Sequence, residues 1–201
     1  MESVFDIIAV VLSYLLGSVS FSIVIARLVK GIDIRQHGSG NAGATNTLRV
    51  LGKGPGILVF LLDIAKGIAA IAIGYALSDG AWTPVLCGLA AIIGHNWPIW
   101  FRFKGGKGIA TAVGVIATLA FFPALYAGIV AIAIIAITRY VSLGSLIFAA
   151  LTPLFIIWLD FSWPLLAGAL AICAFSFLRH RTNIVKLAQG TENKLGAKKE
   201  A

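Results

Sequence analysis

Three stretches of the sequence combine glycine with hydroxyl, amide and basic side chains, and each has the make-up of an anion site. The first runs His37-Gly38-Ser39-Gly40-Asn41-Ala42-Gly43-Ala44-Thr45-Asn46-Thr47-Leu48-Arg49. Its glycines permit tight turns, and consecutive backbone N–H groups in such turns form a concavity that holds anions. Ser39, Asn41, Thr45 and Asn46 add neutral polar groups, and Arg49 adds a planar fork suited to phosphate. The second, Gly94-His95-Asn96-Trp97-Pro98-Ile99-Trp100-Phe101-Arg102-Phe103-Lys104-Gly105-Gly106-Lys107-Gly108, leads directly into an apolar run. It therefore places Lys104, Lys107 and the N–H groups of Gly105, Gly106 and Gly108 at a helix N-terminus, where negative charge is favoured. The third is Arg179-His180-Arg181-Thr182-Asn183, continuing through Gly190, Glu192 and Lys194. If the preceding helix continues, His180 and Asn183 share a face, and His180 can donate, accept or take a proton near neutral pH.

Several chemistries are excluded by spacing. A nucleotide-binding loop needs Gly five residues before its Gly-Lys pair and Ser or Thr after it; here position 101 is Phe and position 108 is Gly. The His-x-x-x-x-Asp pattern of large thioester-using acyltransferases is missing, since Ala42, Trp100 and Val185 stand five residues after the three histidines. Cys87 and Cys173 each lie in an apolar run, as small buried hydrophobes, and no spacing suggests a metal cluster. No cofactor and no nucleic-acid partner is expected.

These segments must be positioned by elements suited to lipid. Of 201 residues, 59% are hydrophobic and only 12% are charged, about half the charged share of an ordinary soluble domain. The apolar runs are continuous rather than alternating, which favours helices over barrel strands. The expected fold is an all-α membrane protein formed by one domain over residues 1–201. Its candidate spans are about 4–26, 55–77, 81–99, 109–121, 123–138, 141–159 and 162–178. The start of the chain has no signal-peptide pattern, so the first run is expected to remain as a span. The fourth and fifth runs are short, and a single helix over 109–138 kinked at Pro123 is the competing arrangement. Charge placement decides between them. With seven spans, the N-terminus outside and the C-terminus cytoplasmic, every Lys and Arg except Lys66 falls on the inner side, whereas Glu2, Asp6, Asp79 and Asp160 fall outside, as the positive-inside rule requires. Merging the short pair would put the basic tail outside. Trp97, Trp100, Trp158 and Trp163 lie near span ends, where interfacial belts form. The closing Lys198-Lys199-Glu200-Ala201 is expected to fray.

Asp63 and Lys66 lie deep in the second span at i and i+3, where ionisable groups pair or serve function; an ion pair is the preferred reading, with Lys66 lending charge to the site as the alternative. His95 is read as a helix-end hydrogen-bonding group, and His37 has no firm assignment. Together, three phosphate-friendly segments on one membrane face suit a reaction that joins an anionic soluble molecule to an anionic lipid-like one. A small anionic-solute or lipid transporter is the alternative, but transporters usually carry repeats and midplane sites, and no repeat is present.

At these residues the chain resembles the bacterial integral-membrane acyltransferases that use acyl-phosphate and glycerol 3-phosphate. The first segment is similar in Gly38-Ser39, Asn41, Gly43-Ala44-Thr45-Asn46 and Arg49. The second is similar in Gly94-His95, Pro98, Gly105-Gly106-Lys107-Gly108 and Ala110-Thr111, and the third in His180, Asn183, Gly190, Glu192 and Lys194. Asp63, Lys66 and Gly67 resemble that family's Asp-x-x-Lys-Gly; Lys186 stands where Arg is more usual. The resemblance covers nearly the whole chain. It implies transfer of a fatty acyl group from acyl-phosphate to the 1-hydroxyl of glycerol 3-phosphate, giving lysophosphatidic acid and inorganic phosphate, the first step of phospholipid synthesis. Neither coenzyme A nor acyl carrier protein would be the direct donor. Ser39, Arg49, Lys107, His180 and Asn183 are the expected catalytic set. Gly38, Asn41, Thr45, Asn46, Lys104, Gly105, Gly106, Gly108 and Glu192 are the expected substrate contacts. The setting would be the bacterial inner membrane, with membrane lipid around the protein and the active site on the cytoplasmic side.

Overall fold

In the computed structural model, which describes residues 2–196, the chain is helical, and among the described residues there is no strand. The helices divide into two compact units, Met1–Leu119 and Ala120–Ala201. The expected fraying at Lys198–Ala201 lies outside the described residues.

The first unit contains α1 (Glu2–Gly17), α2 (Phe21–Lys30), α3 (Ala44–Leu51), α4 (Lys53–Leu77), α5 (Thr83–Asn96) and α6 (Ile109–Leu119). The 25 residues of α4 extend ~37 Å at 1.5 Å per residue, enough to cross a ~30 Å hydrocarbon layer. Helices in lipid gain little from apolar attraction to one another, so close packing through small residues holds them together. That device recurs here. A Cβ on Gly67 of α4 would strike the Thr111 carbonyl of α6, and one on Gly114 of α6 would strike the Ile64 carbonyl of α4. The large apolar side chains turn outward instead: Leu61 is 55% exposed, as a lipid-facing position requires.

The first span differs from the uninterrupted helix expected over 4–26. The apolar run Val4–Lys30 is present, but the helix stops after Gly17 and restarts at Phe21. Gly17-Ser18-Val19-Ser20 is the cause: glycine and serine favour non-helical backbone. Ser18, Ser20 and Ser22 are all buried. The break frees carbonyl groups within the apolar run, where each needs a partner, and the Lys66 ammonium donates to the Val19 carbonyl at 2.9 Å.

The second unit contains α7 (Phe121–Thr138), α8 (Val141–Leu159), α9 (Trp163–Arg179) and α10 (Arg181–Ala188). The backbone is extended at Ala120 (φ −149°), and Pro123 sits in the first turn of α7, where its missing N–H costs little. Residues 109–138 are therefore two helices, with the break three residues before the proline that marked it in the sequence. Trp158 and Trp163 are 79% and 70% exposed, as anchoring residues at span ends should be. The chain bends by 62° between α9 and α10, so α9 does not continue through the third polar segment.

Five helical runs are long and apolar enough to cross a membrane, and the bent α9–α10 pair would make a sixth. The 11-residue α6 reaches only ~17 Å.

Candidate functional site

The first polar segment folds around one amide. Asn46, in the first turn of α3, is 1% exposed. Its Nδ2 group donates to the carbonyls of Ile34 (3.2 Å), His37 (2.9 Å) and Asn41 (3.0 Å), and its Oδ1 accepts from the Ser39 N–H (2.8 Å). The side chain that the sequence offers as a substrate contact is thus consumed by the loop. Gly38 takes the left-handed conformation (φ 63°) and lies so close to Asn46 Oδ1 that a Cβ would collide with it. This arrangement presents Ser39 at the surface, exposed on a loop held by the Asn46 amide. Thr45 and Arg49 are four apart on α3 and so share a face; both are half-buried. No hydrogen bond or ion pair within the described residues holds the Arg49 guanidinium. Asn41 is half-buried, with its amide over Gly43.

The second segment packs against the first. Arg35 donates from one guanidinium nitrogen to the carbonyls of Phe101 (2.9 Å) and Lys104 (3.4 Å). Those carbonyls bracket Arg102 and Phe103, both left-handed at φ 57°, a conformation that costs roughly 1–2 kcal/mol for a non-glycine residue. Asp33 steadies Arg35 through a 2.6 Å ion pair; the hydrogen bonds from Arg35 hold the Asp33 carboxyl down to about 2. Beneath them Ile23, Ala26, Ile34 and Ala42 form a small core with Phe101 against it, and the Arg27 guanidinium lies 5.8 Å from the Phe101 ring centre. Tyr14 and Trp100 tie the segment to α1, donating to the Trp97 carbonyl (3.0 Å) and the Leu15 carbonyl (3.3 Å).

From Lys104 to Gly108 the chain has no regular secondary structure, and it then enters α6. Gly108 has φ 83° and its carbonyl accepts from the Ala112 N–H at 2.8 Å, so the first N–H groups of α6 have no carbonyl within the helix. Gly105 and Gly106 are wedged against the end of α5. A Cβ on either would run into His95, at its carbonyl or at Nε2. Lys107 is half-buried and Lys104 exposed. The site residues of the first unit, from Gly38 to Arg49 and from Lys104 to Gly108, are thereby brought onto one side of its helices.

Behind that loop lies a cluster whose full extent the sequence did not reveal. Lys66 Nζ is 2.8 Å from Asp63 Oδ1, which realises the ion pair expected from their spacing. His95 joins it: its Nδ1 is 2.9 Å from Lys66 Nζ, and the residue is 4% exposed. Only a pairing between α4 and α5 could reveal this, because 29 residues separate the two in sequence.

In the second unit His180 closes α9 and opens α10. It is 3% exposed, and its Nδ1 lies 2.8 Å from the Ser176 carbonyl. A carbonyl only accepts, so Nδ1 carries the proton in this contact. Asn183, in the first turn of α10, donates to Glu192 Oε1 at 2.8 Å. The tail folds back, with the Leu195 N–H on the Arg139 carbonyl at 2.7 Å. His180 and Asn183 therefore lie at a helix junction rather than on one continuous helix face.

Helices packed through small residues around Gly-rich basic loops place the chain among integral-membrane enzymes that handle anionic substrates. The chain belongs to the glycerol-3-phosphate acyltransferase family, whose model matches residues 7–190. A glycerol-3-phosphate acyltransferase of Shouchella clausii (strain KSM-K16) is 60% identical, over 96% of this chain and 97% of that protein. One from Halalkalibacterium halodurans is 55% identical over 94% of each. The crystal structure of PlsY (YgiH), an integral membrane glycerol 3-phosphate acyltransferase in its glycerol 3-phosphate form, superimposes with a TM-score of 0.90 at 42% identity, covering 95% of this chain and 96% of that one. Its lysophosphatidic acid form gives 0.88 at 41% identity, covering 95% of each chain.

Proposed function

We propose that the chain moves a fatty acyl group from acyl-phosphate to the 1-hydroxyl of glycerol 3-phosphate, at the cytoplasmic face of the bacterial inner membrane. A new ester C–O bond forms, the acyl C–O bond to phosphate breaks, inorganic phosphate leaves, and the hydroxyl proton passes to a base. Membership of the family and the glycerol 3-phosphate and lysophosphatidic acid forms of its solved members support this acceptor and product. The observation that carries the reading is the packing of Gly106 against the Ala42 carbonyl of the first segment, reinforced just upstream by the Arg35 hydrogen bonds to the Phe101 and Lys104 carbonyls, which gathers two phosphate-friendly loops on one side of the first unit.

In this proposal Lys107 and the N–H groups of Gly105, Gly106 and Gly108 hold the donor phosphate, with Lys104 at the margin. Ser39 and Arg49 serve the acceptor phosphate, with Gly38, Asn41 and Thr45 forming their loop. The family resemblance assigns His180 and Asn183 to the acceptor as well, and Glu192 orients Asn183. Acyl-phosphate is already activated, so the protein needs to orient two anions and relieve their repulsion. Orientation alone can supply roughly 7–11 kcal/mol, and fixed positive groups stabilise the oxyanion and the departing phosphate. His180 Nε2 is one candidate base; a substrate phosphate, with a second pKa of about 6, is the other. No covalent acyl-enzyme is required, and Ser39 serves as a hydrogen-bond partner. Seven spans, with the N-terminus outside and the C-terminus inside, complete the proposal.

The test uses purified protein in detergent with acyl-phosphate and glycerol 3-phosphate. Phosphate release that depends on both substrates, with lysophosphatidic acid formed in equal amount, is expected. A transporter would be silent, since detergent abolishes transport. His180→Ala decides the base: residual turnover with an unchanged pH profile would leave the substrate phosphate in that role.

A further inference from the structure

The mechanism above does not use the buried cluster of Asp63, Lys66 and His95, yet burying three ionisable groups in a membrane helix bundle is costly unless they do something together. Both carriers of formal charge are nearly inaccessible, their side chains 1% and 2% exposed. Paired with Asp63, Lys66 is an ammonium, and an ammonium has donors only. It makes two further directed contacts, to the Val19 carbonyl at the break in the first span (2.9 Å) and to His95 Nδ1 (2.9 Å). Asp63 Oδ1 lies farther from the same ring nitrogen, at 3.6 Å, so the shorter Lys66 contact favours Nδ1 as the acceptor and the ring proton on Nε2. That edge of the ring abuts Gly106: a Cβ there would run into Nε2 and into the Ala42 carbonyl of the first segment. The Gly106 N–H in turn donates to the His95 carbonyl at 3.1 Å. His95 thus touches the donor loop through both its ring and its backbone, and Lys66 fixes the rotation of the ring.

We infer that Asp63, Lys66 and His95 are positioning residues for the donor loop: the ion pair of α4 clamps the His95 ring against Gly106, and so sets where the Gly105–Gly108 backbone presents its N–H groups to the donor phosphate. This rests on the acyl-phosphate reading given above. None of the three is assigned contact with substrate. The glycines at 105 and 106 follow from the same geometry, because only a residue without a side chain can lie against the ring and the end of α5.

The experiment compares wild type with His95→Asn, His95→Gln and the double variant Asp63→Asn/Lys66→Met in detergent. Lys66→Met alone leaves Asp63 an uncompensated buried charge and endangers folding; the double variant removes both charges together. Two readouts are taken. The first is the kcat/KM for acyl-phosphate at saturating glycerol 3-phosphate, alongside the KM for glycerol 3-phosphate. The second is backbone hydrogen exchange across residues 104–109, with α1 as reference. The expected result for His95→Asn and for the double variant is a loss of about 10- to 100-fold in donor kcat/KM, the scale of a small misplacement. The acceptor KM should stay within about twofold, and exchange should rise only in 104–109. His95→Gln, which can return an N–H near the position of Nε2, should recover most of the loss. Donor and acceptor constants worsening in parallel, or unchanged exchange across 104–109, would overturn the inference. If wild type fails to use acyl-phosphate, the proposed reaction fails, while the exchange measurement still decides the positioning role.

Discussion

At the scale of single residues, the amide of Asn46 shows how a polar residue in a substrate loop can belong to the scaffold. Three carbonyls share its two amide hydrogens, and its oxygen accepts one N–H, so both of its donors are taken up by the loop. Asn46→Ala removes about four hydrogen bonds at roughly 1 kcal/mol each and strands buried carbonyls, so a loss of about 3–5 kcal/mol is expected. Thermal unfolding in detergent would measure it, together with loss of acyl transfer. Arg49→Lys tests the opposite kind of residue. Among the described residues no hydrogen bond or ion pair uses its guanidinium, so stability should hold, while the KM for glycerol 3-phosphate should rise by about tenfold from loss of a bidentate fork. The sequence did not separate these two residues, although the means existed. Once 44–51 is read as a helix, Thr45 and Arg49 fall on one face and Asn46 and Val50 on another, and a Cβ on Gly38 would meet Asn46 and Val50. Which face looks inward depends on the glycine turn before it, and composition does not give that. His95 was underread for a different reason: its partner lies on another helix.

At the scale of elements, the strap from Asp33 and Arg35 to the carbonyls of Phe101 and Lys104 binds one loop to the other. The Asp33 carboxyl is held at about 2, below its unfolded value of about 3.9. Stabilisation from it is therefore complete above about pH 4 and is lost as the pH falls through about 2. Between pH 5 and 8 the strap should contribute no pH dependence, and the protection of amides across 101–104, after correction for their intrinsic exchange rates, should fall only below about pH 4. Asp33→Asn should remove that acid-range change. Arg35→Ala should quicken exchange there at every pH. Apolar length located most of the helices, and Val141–Leu159 falls where hydropathy put it. Breaks were harder to see. Gly17-Ser18-Val19-Ser20 carries a local signal, but a hydropathy window averages over four small residues, and the carbonyls they free are satisfied by a lysine 47 residues away. At the other break, Pro123 lies four residues past the end of α6, because proline is at home in a first turn.

At the scale of the whole molecule, composition was a sound guide to the solvent. The outward side chains are apolar, as at Leu61, Ile132 and Trp158, and the family is one of integral membrane enzymes. The crossing number is where sequence reasoning reaches furthest past helix length, since α6 is short and only the distribution of Lys and Arg argues for seven spans. Single cysteines introduced at Ser39, Asp79, Asp160 and Lys194, with Cys87 and Cys173 replaced by Ala, give a direct check. A membrane-impermeant thiol reagent applied to intact cells should label the Asp79 and Asp160 positions, and should reach the Ser39 and Lys194 positions only after lysis.

The placement of Asp63 and Lys66 on the same helix also bears on biogenesis. On a translocon scale, a lone Asp or Lys at the centre of a segment opposes insertion by about 2.5–3.5 kcal/mol each. At i and i+3 the two can neutralise each other as soon as α4 coils, before α5, which follows it in the chain, is there to receive them. The helix can thus partition into lipid with its countercharge already aboard, and Lys66 keeps that partner while it adds Val19 and His95 as the neighbours assemble around it.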